Sequence, residues 1–179
     1  MADRRDDKRA RFEAQVLPHL DSAYRFARWL APAPGEADDL VQDAVLRAYR
    51  GFEGLRGANV KAWLLTIVKN CHFTAQRARH DRRLVPLPEE SDSAHEPALV
   101  ASSDPEQEAL ATDRTHALER VLALLPEEQR DVLILREVED LDYRAIAEVL
   151  AVPLGTVMSR LSRARAALRA RFLEREATS

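Results

Sequence analysis

The sequence predicts an all-α fold, two small helical domains joined by an acidic linker. Three observations carry that prediction. Apolar residues recur at helical spacing through both halves of the chain. Ala, Leu, Arg and Glu are abundant, whereas the 179 residues include only 5 Gly and 6% aromatics. The helical pattern lapses only between about Asp81 and Thr112. A hydrophobic content of 46% is that of a globular protein, and 179 residues suffice for one domain or two small ones.

The first helical pattern runs from about Arg9 to Leu30 through Phe12, Val16, Leu20, Tyr24 and Ala27. Pro18 predicts a kink or break within it, and Pro32 and Pro34 end it. The mixed-charge lead before Arg9 has no assigned role. From Gly35 to about Phe52, Leu40, Val41, Ala44, Val45, Ala48 and Tyr49 face inward. Asp38, Asp39, Gln42, Asp43 and Arg47 face outward, an acidic surface suited to a basic partner or simply to water. A third helix spans about Asn59 to Arg79, with Val60, Trp63, Leu64, Ile67, Val68 and Cys71 on its apolar side. Residues 9–80 thus form a first domain.

Between residues 81 and 112, Pro86, Pro88, Pro97 and Pro105 alternate with serines, and eight acidic residues outnumber Arg82 and Arg83. This segment reads as a solvated spacer, with mimicry of a nucleic-acid backbone or an autoinhibitory strip as the sharper alternative. Residues 113–175 form a second domain of four helices. Thr115–Leu125 closes at Pro126, and Glu127 to about Glu139 turns Val132, Leu133 and Leu135 inward. Asp142–Leu150 is short, Ala151-Val152-Pro153 is a tight turn, and Leu154 to about Phe172 is long.

The last two helices carry the most specific local pattern. Asp142 is placed to cap the shorter one, whose buried face is Ile146, Ala147 and Leu150. The longer one buries Val157, Leu161, Ala164 and Leu168 and turns Thr156, Ser159, Arg160 and Arg163 outward. This is the layout of a helix-turn-helix, whose second helix enters the DNA major groove by its N-terminal half. Between Pro153 and Leu173 stand Arg160, Arg163, Arg165, Arg169 and Arg171 with no acidic residue, in a chain whose net charge is −3. Arginine donates in pairs to guanine edges and to phosphates, so this stripe suits duplex DNA.

A second basic concentration, Arg56, Lys61, Lys69, Arg77, Arg79, Arg82 and Arg83 against Asp81, is interleaved with Trp63 and Phe73. Cations for phosphate, rings for bases and the Asn70 amide for base edges are the ingredients of a single-stranded DNA site. Core packing is the competing reading for Trp63.

Together these pieces resemble a bacterial sigma factor of the extracytoplasmic function (ECF) type, group 4 of the sigma-70 family. The resemblance rests on Glu36-Ala37-Asp38-Asp39-Leu40-Val41-Gln42-Asp43 continuing to Tyr49, and on Lys61-Ala62-Trp63-Leu64-Leu65-Thr66-Ile67-Val68-Lys69-Asn70. It rests also on Leu125-Pro126-Glu127-Glu128-Gln129-Arg130 and on Gly155-Thr156-Val157-Met158-Ser159-Arg160-Leu161-Ser162-Arg163. It implies sigma domain 2 at residues 9–80 and the helix-turn-helix of sigma domain 4 at residues 113–175.

By that resemblance Asp38, Asp39, Gln42, Asp43 and Arg47 dock on core RNA polymerase, whose clamp and flap regions are the implied contacts. Arg56, Asn59, Lys61, Trp63, Lys69, Asn70 and Arg77 hold minus-ten DNA, the loop Leu55–Ala58 receiving a flipped base. Thr156, Ser159, Arg160, Arg163 and Arg165 read the minus-thirty-five duplex. An anti-sigma factor and a role in stress response are implied as well. Cys71-His72-Phe73 departs from the family pattern, which favours an Asp soon after the Asn. The alternative within this resemblance is a sigma-like mimic that sequesters an anti-sigma factor without initiating transcription. A conventional helix-turn-helix regulator leaves the acidic helix and the Trp63–Asn70 segment unused.

Other classes fit poorly. His19, His72, His80, His95 and His116 are scattered, and Cys71 is the single cysteine, so no metal site, cofactor site or nucleophile–base pair is expected, and no catalysis. No apolar run approaches the length of a membrane span and the N-terminus is charged, so a cytoplasmic protein without membrane insertion is expected.

Overall fold

The computed structural model describes residues 2–33, 35–55, 59–83 and 120–176. Helices account for its regular structure, with no strand among the described residues. The chain divides into two compact units, Met1–Ala98 with Glu148–Leu150 and Leu99–Ala147 with Ala151–Ser179.

In the first unit α1 (Ala2–Val16) leads through a 3-10 turn (Leu17–His19) into α2 (Leu20–Leu30). The break expected at Pro18 is this turn, since proline has no N–H to continue the α-helical ladder. Helix begins at Ala2, ahead of the expected Arg9, and the lead has a structural part to play. Phe12 is buried edge-on against Tyr49 and Phe52, and Lys8 lies over the Tyr49 ring and 3.9 Å from Glu53. α3 (Glu36–Gly51) starts at Gly35, whose φ of 78° is the left-handed conformation that glycine adopts without a Cβ clash. Glu36, Asp38 and Asp39 fill its first turn, where the helix dipole favours negative charge. A short 3-10 turn (Phe52–Gly54) follows, and then α4 (Val60–Arg83). Helices α2, α3 and α4 pack against one another around Phe26, Leu40, Ala44, Leu64, Leu65 and Val68.

In the second unit the described chain resumes as helix at residues 120–123, with Val121, Leu122 and Leu125 buried. The rest of the expected Thr115–Leu125 helix lies outside the described residues, as does the linker beyond Arg83. α5 (Glu127–Leu133) passes into a π-helical turn (Ile134–Val138) where one continuous helix to Glu139 was expected. The wider turn ends with the Leu141 N–H donating to the Leu135 carbonyl at 3.0 Å and with Asp140 at φ 50°. α6 (Tyr143–Leu150) and α7 (Leu154–Glu176) follow, and α7 packs along α5 through Val157, Leu161 and Ala164.

Candidate nucleic-acid interface

The helix-turn-helix is assembled from local interactions that the sequence encodes. Asp142 caps α6, its Oδ1 accepting the Ala145 N–H at 2.8 Å. At the other end Ala151 takes φ 52°, and the Val152 N–H donates to the Ala147 carbonyl at 3.0 Å, a Schellman closure. The chain bends through 101° between Tyr143–Leu150 and Leu154–Arg171. The buried face of α6 is rotated from expectation: Ala145, Ile146 and Val149 are buried, whereas Ala147 and Leu150 are only half-buried. Leu168 is likewise half-buried, the core of α7 being Val157, Leu161 and Ala164.

The outward residues of α7 are not equivalent. Ser159 and Arg163 are exposed one turn apart, and the Arg163 Nε donates to the Ser159 carbonyl at 3.2 Å. Thr156 is half-buried beside them, its carbonyl accepting the Ser159 hydroxyl. Arg160 leans toward α5, its Nη2 2.8 Å from Glu128 Oε2. Arg165 leans to the other flank, where Nη2 and Nε reach Glu137 Oε1 at 2.7 and 3.2 Å. That bond, with a second to Tyr143, raises the pKa of the Arg165 guanidinium. Met158 is exposed within this face, an apolar group the charge pattern did not single out.

On α4 the residues expected to hold single-stranded DNA separate into two groups. Trp63, Asn70 and Arg77 recur every seven residues and share one stripe, with Trp63 half-buried and Asn70 and Arg77 exposed. The exposed Phe73 ring joins them, and with Gln76, Arg77, Arg79 and His80 it lines a shallow depression. Lys61 stands two residues before Trp63, on the far side of the helix from it. Lys69 is only 4% exposed, its Nζ 4.7 Å from the Phe73 ring centroid, so its charge is held within the fold. Asn59 caps α4, its Oδ1 accepting the Ala62 N–H at 3.1 Å. Arg56 lies outside the described residues, as does most of the Leu55–Ala58 loop.

The acidic face of α3 is open at Asp38, Asp39 and Gln42, all exposed. Asp43 is engaged: Arg47 reaches it through Nη2 at 2.9 Å and Nε at 3.2 Å, raising the pKa of Arg47. Cys71 of α4 is buried behind this pair. Burial, reinforced by the Asp43 carboxylate, pushes its thiol up to about 11. Leu46, one turn beyond Gln42, is an exposed apolar residue on the same face; its signal in the sequence was a leucine outside the inward pattern. Two buried acids, Asp131 and Glu139, were also missed, because helical spacing says nothing of a polar group's burial.

Among the described residues no cluster of His, Cys, Asp and Glu could hold a metal ion. Among the described residues no single helix is long and apolar enough to cross a membrane, and the one pair there that passes by length and composition is the sharply bent α6–α7 pair.

Comparison with known proteins agrees with this anatomy. Residues 16–82 match the family model of sigma-70 region 2, and residues 115–168 that of sigma-70 region 4. The chain is 35% identical over 156 residues to the ECF RNA polymerase sigma factor SigE of Mycolicibacterium smegmatis, covering 86% of this chain but 58% of that protein. It is 34% identical over 138 residues to the ECF RNA polymerase sigma-E factor of Escherichia coli K12, covering 75% of this chain and 72% of that one. Among solved structures it resembles the sigma factor RpoE of Bartonella quintana, co-crystallised with the anti-sigma factor NepR. The TM-score is 0.66 and the identity 31%, over 89% of this chain and 94% of that one. With both sigma-70 regions in their order along one chain of helices, this protein belongs to the ECF RNA polymerase sigma factors.

Proposed function

We propose that this chain is a dissociable promoter-recognition subunit, acting in the cytoplasm without catalysis of its own. Residues 9–80 bind core RNA polymerase and the minus-ten element, and residues 113–175 bind the minus-thirty-five element. The observation that carries the reading is the exposed face of α7. There Ser159 and Arg163 stand clear of the fold behind a capped α6 and a 101° bend, as a helix entering the major groove requires.

Asp38, Asp39 and Gln42, with Leu46 beside them, supply an acidic surface with an apolar edge for the polymerase clamp. The Asp43–Arg47 pair belongs to that face but is internally neutralised. Trp63, Asn70, Phe73 and Arg77 supply the minus-ten surface, rings and an amide for bases and a guanidinium for phosphate. Asn59 caps that helix at its N-terminus and Lys69 supports it from within. The Bartonella relative was solved with an anti-sigma factor, and on that likeness an anti-sigma partner holds this chain inactive until a stress signal releases it.

The test is transcription by bacterial core polymerase on a library of genomic fragments with and without the chain. New start sites sharing two spaced elements are expected. Core binding without new starts overturns the initiating role and favours the anti-sigma mimic; no core binding removes the polymerase assignment itself.

A further inference from the structure

The fold holds one recognition-helix arginine by a carboxylate 28 residues earlier in the chain, and the backbone is deformed where that carboxylate stands. Arg165 donates through Nε and Nη2 to the same oxygen of Glu137, at 3.2 and 2.7 Å. That engages one edge of the guanidinium and leaves Nη1 and the second Nη2 hydrogen on the other edge. The Arg165 side chain remains 48% exposed. Glu137 belongs to the π-helical turn Ile134–Val138, a wider turn than an α-helix makes.

Tyr143, the first residue of α6, braces the same group. It is hydrogen-bonded to Arg165, and its other neighbour is Arg136, whose guanidinium carbon is 5.6 Å from the ring centroid. Arg136 is tied in turn, its Nη1 donating to the Leu141 carbonyl at 2.9 Å. A mobile arginine contacts any phosphate within reach, because it is long and rich in rotamers. One whose planar fork is held at one edge presents the other in a fixed plane, so it has less conformational freedom to lose on binding and rejects geometries that do not match.

We propose that Glu137 is a positioning residue for DNA recognition: it orients Arg165 so that the exposed part of the guanidinium meets one site on the duplex, trading general affinity for selectivity. This rests on the reading of α7 as the minus-thirty-five helix. The Glu137 carboxylate, 52% exposed, also repels phosphate that approaches in any other register.

The test uses holoenzyme assembled from bacterial core polymerase and the full chain carrying Glu137→Gln, Arg165→Gln or both. Affinity for a promoter duplex and for one with a scrambled minus-thirty-five element is measured across a salt series, with thermal unfolding of each variant as the control for folding. Glu137→Gln is expected to bind the scrambled duplex several-fold more tightly and to lose about 5–10-fold in selectivity. Its plot of log affinity against log salt steepens by up to about one unit as a freed cation finds a phosphate. In the Arg165→Gln background, Glu137→Gln leaves selectivity unchanged.

If Arg165→Gln weakens promoter binding while Glu137→Gln keeps wild-type selectivity and slope, Glu137 is only structural and the proposal is wrong. If Arg165→Gln changes nothing although the wild type is selective, Arg165 does not touch DNA and the proposal fails with it. A wild-type holoenzyme without selectivity refutes the underlying reading of α7.

Discussion

Arg160 of α7 and Glu128 of α5 form an ion pair of 2.8 Å in which the arginine side chain is 16% exposed and the glutamate 69%. The arginine therefore serves two ends. Its side chain is largely buried beside α5, and its charge is held at the edge of the α7 face proposed to meet DNA. Arg160→Ala is expected to destabilise the fold by about 1–2 kcal/mol through lost packing and pairing, whereas Glu128→Ala costs under about 1 kcal/mol because its charge is well solvated. Denaturant titration of both variants checks the ordering. In promoter binding, Arg160→Ala lowers minus-thirty-five selectivity about 10-fold or more. Equal selectivity in the variant would make Arg160 purely a strut.

Asn59 was expected at the minus-ten surface and stands at the N-terminus of α4, capping it through the Ala62 N–H. Asn59→Ala should then cost about 1 kcal/mol of stability, and Asn59→Asp should retain most of it, since either side chain accepts the same bond. Thermal unfolding separates this from a DNA contact. A variant as stable as the wild type but defective in opening the minus-ten element would return Asn59 to the DNA.

Cys71 gives the chain a pH dependence of known sign. Its thiol is raised from 9.0 to about 11 in the fold, so the native state holds the proton more tightly than the unfolded chain. The stabilisation is complete below pH 9 and is lost as pH rises through about 11. Unfolding midpoints of the wild type should fall over that range more steeply than those of Cys71→Ser. At neutral pH the buried thiol should also alkylate at least about 100-fold more slowly than in urea, its thiolate being scarce and shielded. Equal rates in the two conditions would contradict the burial.

Ala151 holds φ 52° at the end of α6, where a Cβ is unfavourable. Ala151→Gly is expected to raise stability by about 1 kcal/mol, or several degrees in Tm, without altering DNA selectivity. Gly35→Ala, at φ 78°, should move the other way. Calorimetry of the two variants gives the comparison.

What the sequence by itself determined were features set within a turn or two of helix. The break at Pro18, the cap at Asp142, the tight turn at Ala151 and the apolar stripe Val157–Leu161–Ala164 follow from spacing, from a missing N–H and from a carboxylate near an open helix end. The concentration of arginines on one helix was legible for the same reason. The tertiary structure decided which of those charges are at liberty. It buried Lys69 while leaving Asn70 exposed, tied Arg160 to Glu128 and Arg165 to Glu137, and left Arg163 on its own helix with Ser159. It also widened the helix after Leu133 into a π turn that carries Glu137. None of this is a property of local spacing. Pairing between residues 28 or more positions apart depends on how neighbouring helices are rotated about their axes, and only their mutual packing sets that rotation.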